Sequence, residues 1–185
     1  MGSVAVASGL NVPVVSAEPP PPGHRSHVVM LTGSSNTYPS YVASANLATN
    51  YAVTTIASDT AWQATDIYSL SYGSPVPSAV KTGLAYSSTA GGWAMCDVPG
   101  SGGRCNHYAV YYNPDYWQST QLLSDNFWRA LGCHEIIHTV GVGERSASSC
   151  LYGYYFSNNY NLSTARHPNS TEIVQINGIY ATTPA

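Results

Sequence analysis

Two histidines one helical turn apart, with a glutamate beside the first, are the residues of this chain best placed to do chemistry. They stand in His134-Glu135-Ile136-Ile137-His138, an HExxH pattern. On a helix, residues i and i+4 project from one face, so His134 and His138 can hold a single cation while Glu135 lies next to them. Zinc suits such a pair, which leaves coordination positions open. A zinc ion so held acidifies a bound water and polarises a peptide carbonyl, and Glu135 is placed to take the water's proton and pass it to the leaving amine. The pattern therefore predicts peptide hydrolysis with Glu135 as general base. The competing reading is two core histidines on an apolar helix face. Each imidazole would then need its own hydrogen-bond partner among Leu, Ile and Phe, whereas one metal satisfies both.

The helix that must carry this motif opens near Ser124-Asp125, where either side chain can cap free amides. It closes at Gly141, a residue suited to the left-handed C-terminal position. Leu123, Phe127, Leu131, His134, His138 and Gly141 follow at steps of three or four, which predicts one inward stripe that includes both histidines. Upstream, His27 to Thr32 reads as a buried strand, Gly33 to Asn36 as a turn, and Pro39 as the start of a helix reaching about Ala52. Asp59 to Ala90 reads as short strands and turns, with Asp66 to Tyr72 the clearest strand. His107 to Tyr112 is a further strand, stopped by Asn113-Pro114-Asp115. A last helix is marked by Asn169-Ser170-Thr171 as its cap and by Ile173, Ile176 and Tyr180 on one face.

Composition narrows the partners. The 185 residues suffice for one domain, and no stretch of about 18 consecutive apolar residues is present to span a membrane. Charged residues are only 8% of the chain and the net charge is -3, with Lys and Arg scattered, so no electrostatic footprint for nucleic acid or anionic lipid exists. A protein or peptide substrate is expected, acted on by a monomer.

Cys96, Cys105, Cys133 and Cys150 are an even set without CxxC spacing, which predicts two disulfides rather than a zinc ribbon or redox site. Three connectivities are open. Cys96 and Cys105 bracket the turn-rich loop Asp97 to Arg104, which brings its ends together easily and favours Cys96 with Cys105 and Cys133 with Cys150. Four reduced, buried thiols are the alternative. A mildly apolar run from Val4 to Val15 leads to small residues at Val15 and Ala17, as before a signal-peptidase site, and with the cysteines it predicts export. Glu18 to Gly23, EPPPPG, can only be an extended polyproline segment. Residues 1–22 are thus expected to be a signal remnant and linker, and 23–185 the catalytic domain.

The motif extends to HEIIHTVGVGE, His134 to Glu144, which resembles the HExxHxxGxxH/D signature of the metzincin zinc peptidases. The stretch from Trp93 to Tyr180 is similar to small secreted matrixin-like and snapalysin-like peptidases of actinobacteria. That similarity rests on the cysteines ahead of HYAVYYNPDYW, on Cys133 before the motif, on Ser149-Cys150-Leu151 and on VQINGIY. It implies an α+β fold, with a small twisted mixed sheet, an active-site helix and a C-terminal helix. It implies that Gly141 turns the chain so that Glu144 becomes the third zinc ligand, where the family has His or Asp. It also places Leu151 at the turn beneath the metal, where the family has Met. His167 is the alternative third ligand, since it follows that turn. The altered ligand and turn define the rival function, a catalytically impaired binding domain on the same fold.

Overall fold

Pro39 fixes its own φ at a helical value and opens a 3-10 turn, Pro39–Tyr41, that runs into helix α1, Val42–Asp59. The computed structural model describes residues 28–31, 33, 36–59, 70–71, 79–144, 149–151 and 160–181. Helix α1 continues past Ala52, its expected end, although Val53, Thr54, Thr55 and Ile56 are poor helix formers. Val53 and Ile56 are fully buried, and that burial outweighs their propensity.

The sheet has five strands in the order β2-β1-β3-β5-β4, with β1 Val28–Met30, β2 Leu70–Ser71, β3 Ala79–Leu84, β4 Gly92–Pro99 and β5 Cys105–Tyr112. All pairings are parallel except β4 with β5, so the sheet is mixed and β4 is an antiparallel edge strand. Gly102 and Gly103, both at positive φ, turn the chain between β4 and β5, and Cys96 and Cys105 are bridged across that hairpin. On β5, Tyr108, Val110 and Tyr112 face the core. The expected strand from His107 to Tyr112 lies within β5, and β1 within the expected His27 to Thr32. Strands β3 and β4 were not individually foreseen, and most of the expected strand from Asp66 to Tyr72 lies outside the described residues.

After β5 come a 3-10 turn at Pro114–Tyr116, the short helix α2, Ser119–Leu122, and helix α3, Asp125–His138. Helices α1 and α3 pack closely through small residues. Ala45, Ala48 and Ala52 are fully buried, and a Cβ on Gly132 would come within 2.7 Å of the Ala48 carbonyl oxygen. Phe127 and Trp128 add an aromatic layer, Trp128 standing edge-on to Tyr112 and Phe127 edge-on to Trp117 and Tyr160. Leu123, expected on the inward stripe, is 84% exposed, and Leu122 is buried in its stead. The helical period does not apply there, because Leu123 precedes the N-cap Ser124 and belongs to the end of α2.

Helix α4, Ser170–Ala181, closes the chain. Its start is a reciprocal cap: the Glu172 amide donates to Asn169 Oδ1 at 2.9 Å, and the Asn169 amide donates to Glu172 Oε2 at 2.7 Å. Of the expected face, Ile176 is buried and Ile173 half-buried, and the side chain of Tyr180 lies outside what is described. The architecture is α+β, with α1 and α3 against the mixed sheet. Residues 1–27, including the expected signal remnant and linker, lie outside the described residues.

Candidate metal centre

The site begins with how α3 starts and stops. Ser124 Oγ accepts from the Phe127 amide at 3.4 Å, the cap that Ser124 promised. At the other end Thr139 Oγ1 donates to the Ile136 carbonyl at 2.7 Å, and Gly141 takes a φ of 84°, open only to residues without a Cβ penalty. The chain therefore leaves the helix sharply after His138 and doubles back. That reversal delivers two groups to the histidines, the carbonyl of Val142 and the carboxylate of Glu144.

Nδ1 of His134 lies 2.9 Å from the carbonyl oxygen of Cys150, and Nδ1 of His138 lies 2.8 Å from that of Val142. A carbonyl only accepts, so in each ring Nδ1 carries a proton, and Nε2 is the nitrogen that offers a lone pair once the ring is neutral. Both lone pairs are then available for a cation, with the outer nitrogen anchored to backbone. Glu144 Oε1 stands 3.2 Å from His134 Nε2 and 3.5 Å from His138 Nε2. Ligands at zinc distances of about 2.0–2.1 Å sit about 3.3 Å apart at the corners of a tetrahedron, so these separations fit a shared ion. His134, His138 and Glu144 form a group able to hold a metal ion, their ligand atoms all within 4.8 Å of one another.

Electrostatics fit the same picture. Burial works against a charged His134, but the hydrogen bond to Glu144 and the negative charges of Glu135 and Glu144 lift its pKa to about 9. Burial raises the Glu144 carboxyl too, yet hydrogen bonds to His134 and His138 outweigh it and hold that carboxyl well below the usual range. Glu144 thus carries full negative charge toward the two rings. Glu135 is buried, and burial pushes its carboxyl up against the lowering pull of His134 and His138. Its carboxylate packs on Gly92, the first residue of β4.

Both disulfides join the expected partners. Cys133, directly before His134, is bonded to Cys150, whose carbonyl holds that histidine, and Cys96 is bonded to Cys105. All four sulfurs are thereby used. Leu151 follows as a fully buried core residue, its amide donating to Ser149 Oγ at 3.1 Å. His167 is not brought to the group. Its Nε2 lies 3.2 Å from the Tyr51 hydroxyl, beside α1, and its ring stands edge-on to that of Tyr51. Most of the tyrosine-rich stretch after Leu151 lies outside the described residues. Sequence reasoning passed over Gly92 and the carbonyls of Cys150 and Val142. Backbone atoms leave no mark in residue types, and only the adjacent pair Gly91-Gly92 hints at a close approach.

The fold and the site together define an α+β domain in which two histidines of helix α3 and Glu144 from the segment after it form a group able to hold a metal ion. No model of a known protein family matches the sequence, and no curated protein matches it. Among the described residues, no helix is long and apolar enough to cross a membrane.

Proposed function

We propose that this chain is a secreted zinc endopeptidase of metzincin type that hydrolyses peptide bonds with Glu135 as general base. The observation that carries the reading is the convergence of His134 Nε2, His138 Nε2 and Glu144 Oε1 on one point, with the Glu135 carboxylate one residue away on the same helix. Two histidines and one carboxylate are an established catalytic zinc set that leaves a position open for water. A zinc ion in that set would supply Lewis acidity toward a peptide carbonyl and acidify water.

The chain's own residues supply the rest. The backbone carbonyls of Cys150 and Val142 fix the tautomer and aim of the two rings. Glu135, its basicity raised by burial, takes a proton from the attacking water and returns it to the departing amine nitrogen. Strand β4 ends the sheet and, among the described residues, pairs with β5 alone. An extended peptide adding to its free edge would run past Gly92 and so past Glu135. The edge carries the exposed side chains of Met95 and Val98, which suits a peptide ligand. Two disulfides fit an oxidising compartment, which supports export.

A metal-holding domain without turnover is the alternative. A buried carboxylate beside a metal group speaks against it, because burying Glu135 costs free energy and serves no purpose without a proton to move. Zinc content together with casein cleavage, with and without chelator, decides between them. The enzyme reading requires about one zinc per chain and cleavage that stops on chelation and returns with zinc. Stoichiometric zinc without cleavage would establish the binding domain.

A further inference from the structure

We infer that Gly92 is a positioning residue for Glu135, its missing side chain being what allows the carboxylate to reach its working place. The inference rests on the reading of Glu135 as general base. A Cβ built on Gly92 would lie 2.5 Å from Glu135 Oε1, 2.9 Å from Cδ and 3.1 Å from Cγ. Real side chains do not approach so closely, so any residue but glycine must displace something.

Backbone conformation does not demand glycine at this position. The described glycines at positive φ are Gly102, Gly103 and Gly141, and Gly92 is not among them. What demands it is the approach of the carboxylate.

The strand cannot withdraw to make room. Gly92 is paired with Tyr112 of β5. Just before it, the Gly91 carbonyl accepts from the Asn113 amide at 2.9 Å and from Trp117 Nε1 at 3.0 Å. Asn113, fully buried, donates from Nδ2 to the carbonyls of Ser87 at 2.6 Å and Ala90 at 2.8 Å. The segment entering β4 is therefore held at three backbone carbonyls, those of Ser87, Ala90 and Gly91, by two side chains and one amide. The helix cannot withdraw either, since Ile136 and Ile137 beside Glu135 are fully buried and its histidines are tied to backbone carbonyls. The Glu135 side chain is the part left to move, and moving it takes the base away from where the His-His-Glu group faces.

A thermal double-mutant cycle on metal-free protein tests this without reference to activity. Gly92→Ala should lower Tm in the parent and leave it unchanged or raised in a Glu135→Ala background, where the clash is gone and alanine restricts the unfolded chain. If Gly92→Ala alone fails to fold, recovery of folding in the Glu135→Ala background supports the inference equally. An equal loss of Tm in both backgrounds would overturn it. The kinetic arm uses zinc-loaded Gly92→Ala, which should keep one zinc and a KM within about threefold while kcat falls tenfold or more. Unchanged kcat would also overturn it. Should Glu135→Gln itself retain full activity, the general-base reading fails, and the thermal cycle still reports whether Gly92 positions the side chain.

Discussion

The carbonyl of Cys150 accepts a hydrogen bond from Nδ1 of His134 at 2.9 Å, and Cys150 is itself bonded through sulfur to Cys133, the residue before that histidine. The bridge and the hydrogen bond thus close a small ring that fixes the first metal-facing imidazole from both sides. Replacing Cys133 and Cys150 together by serine should cost about 3 kcal/mol of stability for a loop of this size. Loss of the anchor should also weaken zinc binding about 10- to 100-fold. A chelator-competition titration on the folded double variant checks the second figure, and parental affinity there would show that the bridge does not orient His134.

Glu144 should behave as a ligand in its own right. Glu144→Ala removes the oxygen that lies 3.2 Å and 3.5 Å from the two Nε2 atoms and should cost most of the zinc affinity. Glu144→His should keep the metal, since three histidines are also a catalytic zinc set. Zinc binding by Glu144→Ala as tight as the parent would place the third ligand elsewhere. His167, engaged with Tyr51, would then be the next residue to mutate.

Gly141 makes the turn that brings Glu144 back, and its φ of 84° is open to glycine at little cost. An alanine there pays about 1–2 kcal/mol for the left-handed conformation. Gly141→Ala should therefore lose stability by that order and zinc affinity with it, read by denaturant unfolding and metal titration on one preparation. Loss of stability with zinc affinity intact would show that the turn does not position Glu144.

On the proposed zinc reading, protons and the metal would compete for His134. Its pKa in the metal-free protein is about 9, above the ordinary 6.5. The imidazolium's interaction with Glu144 thus stabilises the metal-free fold fully below about pH 6.5 and is lost as pH rises through about 9. Glu144, whose pKa is lowered from 4.5, contributes above that value, and its contribution is lost as pH falls through its depressed pKa. Because zinc needs the neutral ring, its affinity should climb about tenfold per pH unit between 7 and 9 and then level off. Competition titrations at pH 7, 8 and 9 measure this, and a flat profile would contradict the assigned proton.

Local signals made much of this fold legible. Ser124 as N-cap, Gly141 as helix breaker, the Asn169 cap of α4 and the HExxH spacing each depend on a few neighbouring residues, and the structure carries all four. The loop between Cys96 and Cys105 announced its own closure. Strands β3 and β4 were hidden because each carries residues that weaken strand propensity, Gly83 in one and Gly92, Asp97 and Pro99 in the other. Their place is set by pairing with β5, a long-range effect, and Gly83 is covered by the Tyr111 ring. The extension of α1 through Ile56 was likewise a matter of burial rather than propensity. At the site, residue types gave the ligand candidates, but the carbonyl anchors and the contact of Gly92 with Glu135 arise only when distant backbone comes together.

The central claim is that Glu135 moves the proton in a zinc-dependent hydrolysis, and the most direct measurement is casein cleavage by Glu135→Gln at zinc content matched to the parent. Glutamine keeps the shape and leaves His134, His138 and Glu144 untouched, so about one zinc per chain should remain bound. With no carboxylate to accept the proton, cleavage should fall a hundredfold or more. A zinc-loaded Glu135→Gln protein that retains more than about a tenth of parental activity would contradict the account, since losses of a general base run well beyond that.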